Sequence, residues 1–335
     1  MSSAADRLPV AVDAMGGDDA PKSIVEGALI AANEFGVPVL LVGDPDRIGD
    51  AGGIEIAPAS EVIDMGADPA KSVRRLKDSS IVRAAEAVRD GRASSLLSAG
   101  NTGAAMAASM LRMGRIKGVA RPAIAVPFPV VGSTPSTLLD CGANADCQPE
   151  WLVQFARLGT AYARERFELE HPRVATLTIG EEAGKGNTLV KEACALLEQP
   201  EWAEECGARY IGNVEGGDLM AGVADVIVCD GFTGNIALKS LEGGFALFRA
   251  ALREALVSNP EVAATKSVVD PVMDPIFKFF DARGTGAAML LGTRGVTMIS
   301  HGSSSAMTIA NAIRTADELS TANIVKSLRE SLETL

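Results

Sequence analysis

The stretch ADVIVCDGFTGN (residues 224–235) joins an apolar run to a glycine-rich loop, and a run of helix-forming residues follows it. An uninterrupted apolar run of this kind is typical of a strand that is buried on both faces of a sheet. Short apolar runs alternate with helical patterns along most of the chain. The sequence therefore predicts an α/β fold with a largely parallel sheet that is covered by helices on both faces.

The predicted elements extend from residue 9 to residue 330. Strands are predicted at 9–14, 38–43, 54–59, 94–100, 123–128, 137–142, 173–180, 208–212, 224–231 and 296–300. Helices are predicted at 21–35, 71–90, 101–113, 149–167, 187–198, 234–257 and 304–330. Since no Ser- or Pro-rich linker separates two halves, residues 1–335 are predicted to form a single α/β unit.

The composition narrows the class of protein. The net charge of −12 argues against general nucleic-acid binding. The N-terminus lacks the basic and apolar regions of a secretory signal, and no apolar run reaches the roughly 18 residues that span a membrane. The five cysteines are an odd number without CxxC spacing, which favours cytosolic thiols over a disulfide or zinc framework. These features predict a cytoplasmic protein.

Positive charge is concentrated between residues 71 and 121. The net charge of this segment is +8, so the remainder of the chain carries a net charge of −20. This segment contains Lys71, Arg74, Arg75, Lys77, Arg83, Arg89, Arg92, Arg112, Arg115, Lys117 and Arg121. One interpretation is a solvated helix face. The other is a docking surface for an acidic partner, because opposite charges steer encounter.

Polar and glycine-rich loops follow most of the predicted strands. In parallel sheets ligands bind beyond the carboxyl ends of the strands, so we expect these loops to gather at one edge. The pattern Gly-x-Thr-Gly occurs at 100–103 and 231–234, each time between a strand and a helix, and its letters recur at 283–286. Free N–H groups and the helix dipole favour an anion at such helix starts, and phosphate is the natural candidate, although a single copy is more often a capped turn.

The series of loops resembles one known family. MGGD, SAGNTGA, GRIKGVARPA, LLDCGAN, IGEE with KGN, IGNVEGGD, CDGFTGN and HGSS occur in the order found in the phosphate acyltransferase family of bacterial phospholipid synthesis. The resemblance extends from about residue 9 to 315. Members of the family often carry His or Asn where this chain has Asp19, so the role of position 19 stays open.

The resemblance implies transfer of a fatty acyl group from acyl carrier protein to inorganic phosphate, without a cofactor. It implies a Rossmann-like three-layer fold, similar to phosphotransacetylases and to the isocitrate dehydrogenase type, and a homodimer. The acyl phosphate product would serve a membrane glycerol-3-phosphate acyltransferase. A location at the inner face of the membrane would suit that transfer.

Direct attack of bound phosphate on the thioester needs a held anion, a polarised carbonyl and a route for the thiolate. We predict a catalytic set of Lys185, which pairs with phosphate, His301, a proton donor, and Asp230, an orienting carboxylate. The predicted phosphate-binding residues are Gly100, Asn101, Thr102, Gly103, Asn187, Thr233, Gly234 and Asn235. The predicted supporting residues are Asp13, Gly16, Gly17, Asp18 and Asn144, and carrier-protein docking is assigned to Arg74, Arg75, Lys77, Arg83, Arg112, Arg115 and Lys117.

Each of these assignments has an alternative. Lys185 could equally be an exposed loop lysine, and His301 could equally cap the helix that follows it. The clustered aspartates suit a divalent metal, but no close Asp-x-Asp pair occurs, so no metal is predicted. Cys229 suits a nucleophile, but it ends an apolar strand with no His beside it in sequence.

A helical segment at 234–282 carries most of a phenylalanine-rich stripe. Six of the ten phenylalanines lie between residues 232 and 280: Phe232, Phe245, Phe248, Phe277, Phe279 and Phe280. The stripe suits core or dimer packing, and it also suits contact with an acyl chain or a membrane.

Three other functions compete with phosphate acyl transfer from the carrier protein. A phosphotransacetylase would use coenzyme A esters with the same chemistry. A dehydrogenase of the isocitrate type would share the sheet, but the first strand is not followed by G-x-G-x-x-G. A non-catalytic anion-binding protein would bind phosphate without turnover.

Overall fold

The computed structural model describes residues 7–258, 271–273, 275–276 and 287–333. Within them the strands are β1 (Val10–Asp13), β2 (Val39–Gly43), β3 (Glu55–Pro58), β4 (Ser95–Ser98), β5 (Ala123–Phe128), β6 (Ser136–Leu139), β7 (Arg173–Leu177), β8 (Arg209–Val214), β9 (Val226–Val228), β10 (Ala288–Leu291) and β11 (Val296–Ile299). These described strands form one eleven-stranded sheet in the order β3-β2-β1-β4-β11-β10-β5-β6-β9-β7-β8. The prediction of an α/β fold with a largely parallel sheet is confirmed.

The sheet consists of two parallel blocks that run in opposite directions. One block is β3-β2-β1-β4-β11 and the other is β6-β9-β7-β8. Between them, β10 is antiparallel to both β11 and β5, and β5 is antiparallel to β6. The sequence prediction missed β10, because four residues are too few to show the hydrophobic periodicity of a strand.

This reversal corrects the expectation that all the polar loops share one edge. The loops after β1, β4 and β11 lie at one edge of the sheet, because these three strands are parallel neighbours. The carboxyl ends of β6 and β9 lie at the other edge. The amide of Cys141, two residues beyond the end of β6, pairs with Ile124 near the start of β5.

The helices largely match the predicted segments. They are α1 (Lys22–Glu34), α2 (Pro45–Ile48), α3 (Pro69–Arg75), α4 (Ser80–Arg89), α5 (Thr102–Ala108), α6 (Pro149–Phe167), α7 (Thr188–Leu197), α8 (Pro200–Cys206), α9 (Gly231–Ser258), α10 (Ala306–Thr321) and α11 (Ile324–Glu333). A π-helical turn, Ser109–Met113, continues α5, and a 3-10 turn covers Gly216–Met220.

Two predicted helices are each divided into two. The segment 71–90 contains α3 and α4, because Leu76 leaves the helical region at ψ 75° and Ser79 is extended at ψ 146°. The segment 304–330 contains α10 and α11, because Asn323 between them adopts φ 56°.

Helices cover both faces of the sheet, which gives the predicted three-layer arrangement. Residues of α1, α6, α7, α8, α10 and α11 pack with one set of strand side chains. Residues of α3, α4, α5 and the start of α9 pack with the alternate set. Burying each large aliphatic side chain contributes about 1.5–3 kcal/mol, so both layers are stabilised mainly by apolar contact. Whether residues 1–335 act as a single catalytic domain stays a prediction.

Helix length and hydropathy decide whether a helix can cross a membrane. Among the residues that the structure describes, no helix is both long enough and apolar enough to cross a bilayer.

Candidate active site

A cavity of about 290 Å³ lies on one face of the sheet, above the central strands β5 and β10. Its floor is apolar and includes Ile124, Val126 and Ala288. One wall comes from the loops after β1, β4 and β11, and the opposite wall comes from the first turns of α9. The remaining lining residues are Asp18, Met65, Gly100, Thr102, Cys141, Asn235, Leu238, Lys239, Glu242, Ala287, Ile299, Ser300, His301, Gly302 and Ser304.

The wall formed by the three loops is held together by short polar contacts. The amide of Asp18 donates to the carbonyl of Gly302 at 2.8 Å, and Ser98 Oγ donates to Asp13 Oδ2 at 2.7 Å. A Cβ on Gly16 would lie 2.8 Å from the amide of Gly100, so only glycine allows these loops to approach. These contacts support the predicted grouping of the MGGD and SAGN loops.

Asp13 is a buried positioning group and does not line the cavity. Burial raises the pKa of its carboxyl, although hydrogen bonds from Ser80, Ser98, Met15 and Gly16 act in the opposite direction. Gly17, with φ of 128°, lets the same loop turn back toward Gly302. The structure therefore places Asp13, Gly16 and Gly17 behind the wall, and Asp18 on it.

Asn101 was predicted to bind phosphate, but its side chain is occupied within the protein. Its Oδ1 accepts from the amide of Ala104 at 3.0 Å and caps α5. Its Nδ2 donates to the carbonyls of Asp64, Met65 and Ala67 at 3.3, 2.8 and 3.2 Å. The amide thus fastens the loop before α3 to the start of α5, while Gly100 and Thr102 face the cavity.

The residues after β6 and β9 form a second braced group. Asp140 is fully buried and accepts from the amides of Ile124, Gly142, Ala143 and Asn144 and from Asn144 Nδ2. Burial raises the pKa of Asp140, and these hydrogen bonds oppose that shift. Asn144 also donates to the carbonyl of Pro122 at 2.8 Å, and its own carbonyl accepts from the amide of Gly231 at 2.7 Å. Asn144 therefore braces the start of α9, and its supporting role in the site stays a prediction.

The loop CDGFTGN (229–235) becomes the first turn of α9. Asp230 accepts from the amide and the hydroxyl of Thr233, both at 2.8 Å, so these two groups satisfy one another. A Cβ on Gly234 would overlap the carbonyl oxygen of Asp140, which explains the glycine. Of this loop, Asn235 lines the cavity, whereas Asp230, Thr233 and Gly234 do not.

Lys185 was predicted as the local cation, but it does not line the cavity. Its ammonium lies 3.8 Å from Glu182 Oε2, and half of the side chain is exposed. Asn187, in the same loop, caps α7 by accepting from the amide of Val190. This loop follows β7, two strands beyond β6, at the edge of the sheet opposite to that of His301.

Lys239, which the sequence interpretation missed, is a cation that does line the cavity. It is the only Lys or Arg among the described residues of the lining, and its Nζ lies 2.8 Å from Glu242 Oε2 on the next turn of α9. The signal was available, since residue 239 follows Asn235 by four positions and shares its helix face.

His301 lines the cavity as expected and is positioned by its own loop. Its Nδ1 accepts from the amide of Ser303 at 3.2 Å and lies 2.8 Å from Ser303 Oγ. A neutral imidazole that accepts at Nδ1 carries its proton on Nε2. His301 is therefore arranged as an N–H donor from Nε2.

Comparison with known proteins identifies the family. A family model described as "Fatty acid synthesis protein" matches residues 8–327. The phosphate acyltransferase of Pelotomaculum thermopropionicum is 44% identical over 337 residues, and the alignment covers 98% of this chain and 96% of that protein. The chain belongs to the phosphate acyltransferase family. It is an acyltransferase, and the predicted family and enzyme class are confirmed.

Solved structures agree on the fold. A branched-chain phosphotransacylase from Enterococcus faecalis has a TM-score of 0.62 at 17% identity, with 93% of this chain and 99% of that chain covered. EutD phosphotransacetylase from Staphylococcus aureus has a TM-score of 0.56 at 16% identity, covering 98% of this chain and 94% of that one. The predicted similarity to the phosphotransacetylase fold is confirmed.

The basic segment of this acyltransferase family member divides into paired and unpaired side chains. Arg83 lies 2.8 Å from Asp78, Arg112 lies 3.7 Å from Glu86, and Arg115 donates to the carbonyl of Ala120. The other four predicted docking residues are exposed and have no ion pair or hydrogen bond within the described part of the chain: Arg74, Arg75, Lys77 and Lys117. Arg74 and Arg75 end α3, which packs against α5 beside the cavity, and Lys77 follows two residues later.

The cysteines near the site are poor candidates for a nucleophile. Cys229 is buried, its Sγ points to the carbonyl of Asp140 at 3.7 Å, and burial raises the pKa of its thiol well above the usual value. Cys141 lines the cavity, but burial raises the pKa of its thiol as well. Neither thiol is poised to ionise, which agrees with direct attack by phosphate.

The phenylalanine stripe is described only in part. Phe232 is 64% exposed and Phe248 is 55% exposed. Leu247, which directly precedes Phe248, is 72% exposed. The other half of the stripe, Phe277, Phe279 and Phe280, and the Gly-x-Thr-Gly letters at 283–286 lie outside the described residues. Of the described half, Phe232 and Phe248 are therefore exposed, whereas Phe245 is half-buried.

Proposed function

We propose that this acyltransferase transfers a long-chain fatty acyl group reversibly from acyl carrier protein to inorganic phosphate, giving acyl phosphate for phospholipid synthesis. The observation that carries the proposal is the two-sided cavity. Polar groups on its two walls, Thr102 and His301 on one and Lys239 on the other, flank an apolar floor with Ile124 and Val126. A phosphate oxygen and an acyl carbonyl can meet at the boundary between these surfaces.

The polar groups of the two walls have the chemistry of a phosphate site. Thr102 begins α5, where free N–H groups and the helix dipole favour an anion, and its exposed hydroxyl adds a donor. Lys239 supplies a positive charge from the opposite wall, although Glu242 partly neutralises it. Asn235, one turn before Lys239, supplies a further donor.

The reaction balances without a covalent enzyme intermediate or a cofactor. A phosphate oxygen attacks the thioester carbonyl carbon, the C–O bond forms, and the C–S bond breaks. The leaving thiolate takes the proton that hydrogen phosphate loses, and the Nε2–H of His301 stabilises the carbonyl oxygen as charge develops on it. Holding both reactants in one cavity can itself lower the barrier by about 7–11 kcal/mol in the best-oriented cases.

The test for the phosphate site compares two lysines. Lys239→Ala should raise the Michaelis constant for phosphate by about 10- to 100-fold, because it removes a charged partner of the anion. Lys185→Ala tests the sequence prediction in the same assay of thiol release, and Lys191→Ala, an exposed lysine on α7, is the matched control. Normal phosphate kinetics in Lys239→Ala with a raised constant in Lys185→Ala would return the role to Lys185.

Four unpaired basic side chains support carrier protein as the acyl donor, since acidic partners are steered by such a surface. Coenzyme A thioesters are the alternative, favoured by the phosphotransacetylase names of the structural neighbours. Arg74→Glu combined with Arg75→Glu should lower kcat/KM for palmitoyl-carrier protein about tenfold and leave palmitoyl-coenzyme A unchanged. A wild-type preference for the coenzyme A ester would favour the alternative.

We also infer that the exposed face of α9 packs against a second copy of the chain. The exposed side chains Phe232, Leu247 and Phe248 support a homodimer. Peripheral contact with the inner membrane face, where a glycerol-3-phosphate acyltransferase would take the product, is the competing role. Leu247→Asp should yield a monomer in size-exclusion chromatography, whereas an intact dimer that has lost liposome binding would favour the membrane.

A further inference from the structure

A second cavity, of about 320 Å³, lies on the face of the sheet opposite to the proposed active site. It is enclosed by α6, α8 and α11, which pack on the face that the first cavity does not use. Its lining is Arg157, Thr160, Ala161, Arg164, Glu165, Glu205, Cys206, Ser327, Glu330 and Ser331. Its volume is in the range of small-molecule sites. The proposed reaction places the acyl chain and phosphate in the first cavity and does not use this one.

Arg157 is the feature that needs an explanation. Only 6% of its side chain is exposed, and its Nη2 lies 2.5 Å from Glu205 Oε2 on α8. Its Nη1 is buried and has no hydrogen-bond partner. Leaving a buried donor without a partner is destabilising, so the ion pair with Glu205 explains one arm of the guanidinium but not the other.

The other charges around the cavity restrict what can bind there. Arg164 donates to the carbonyls of Glu170 and Gly207, so no carboxylate neutralises it. Glu165 accepts from Ser327 Oγ at 2.7 Å, and Glu330 lies 3.6 Å from Lys326 at the surface. Two guanidinium groups, which donate hydrogen bonds, and three carboxylates, which accept them, thus line the same cavity.

This mixture excludes the simplest ligands on physical grounds. A pure anion would satisfy Arg157 but would face Glu165 and Glu205, and a pure cation would leave the Arg157 donor unpaired. A small molecule with both charges can place its anionic group on Arg157 and Arg164 and its cationic group near Glu165 and Glu330. We propose that this cavity is a binding site for a small zwitterion of the α-amino acid class.

The experiment measures binding of L-serine to the full chain by isothermal titration calorimetry, with lactate and ethanolamine as probes that each carry one of the two charges. We expect L-serine to bind with a dissociation constant near or below about 1 mM and the two single-charge probes to bind at least tenfold more weakly. Equal binding of lactate would overturn the zwitterion and indicate an anion site. No heat from L-serine at about 10 mM would overturn the site altogether and leave the cavity to water.

Variants locate the site. Arg157→Lys keeps the charge but loses the forked donor, and Ala161→Leu fills the cavity without changing charge, so each should weaken L-serine at least about tenfold. Glu330→Ala changes only the exposed rim of the cavity, so this variant should fold even if a buried variant does not. It should lower the affinity for L-serine several-fold. Glu333→Ala, exposed on the same helix outside the lining, is the control, and equal affinity in all four variants would refute the location.

Discussion

Replacing Asn101 by alanine removes the side chain that joins the loop before α3 to the start of α5. The cap on α5 is lost, which costs about 1 kcal/mol. The carbonyls of Met65 and its neighbours lose their donor, but Asp64 and Met65 are exposed, so water can replace the donor and the net loss is about 0.5–1.5 kcal/mol. The Met65 bond, at 2.8 Å, is the short one of the three, so we take the loss of one full hydrogen bond. Asn101→Ala should therefore lower the free energy of unfolding by about 1.5–2.5 kcal/mol.

The assay is urea unfolding followed by far-ultraviolet circular dichroism. Asn101→Ser restores an oxygen that can cap the helix but cannot reach the carbonyls, so it should recover only about 1 kcal/mol. Thr102→Ala, next to it and on the cavity wall, should change phosphate kinetics more than stability. If Asn101→Ala unfolds within about 0.5 kcal/mol of the wild type and instead raises the Michaelis constant for phosphate, then Asn101 is a ligand and our assignment is refuted.

Three further predictions follow from the braced loops. Gly234→Ala should lower the free energy of unfolding by about 3 kcal/mol, because the new Cβ overlaps the carbonyl of Asp140; urea unfolding measures this, and a change below about 1 kcal/mol would contradict it. The pKa of Asp13 lies above its ordinary value of 3.8 in the folded chain, so the contribution of this carboxyl to stability is fully present below that value and falls as pH rises through the raised pKa. Asp13→Asn should lack this fall in melts between pH 4 and 7, and parallel pH profiles would argue against it. Cys229→Ser should retain acyl transfer, and loss of activity in a folded variant would revive the nucleophile.

The elements that the sequence predicted well are those with a strong local signal. The apolar runs of β1, β5 and β9 and the long amphipathic pattern of α6 lie close to their predicted bounds. The loops that carried the family resemblance also mark the cavity, since Asp18, Gly100 and His301 line it. These features depend on side-chain periodicity and on short motifs, and both can be read without knowing which strands are neighbours.

The errors concern relations between distant segments. An apolar run does not encode the direction of its strand, so nothing local indicated that β10 and β5 reverse the sheet. The same limit applies to the positions of Lys185 and Lys239. The flanking glycines of Lys185 suggested a phosphate loop beside the other polar loops, but the reversal carries that loop to the other edge, whereas α9 places Lys239 on the cavity. The catalytic role of Lys185 stays a prediction.

The sequence by itself determined the α/β class, the enzyme family and the set of loops from which the candidate site is built. Only the tertiary structure decided which side chains of those loops are free to bind. Asn101, Thr233 and Asn187 are polar residues at helix starts, as an anion site requires, yet each is hydrogen-bonded to backbone or side-chain groups of its own fold. Thr233 and Asn187 meet partners three positions away along the chain, whereas Asn101 Nδ2 donates to carbonyls of the loop before α3, which lies 34–37 residues away. The physical reason is that a polar side chain is committed by the partners that lie within about 3 Å of it, and for Asn101 most of those partners come from a distant part of the chain.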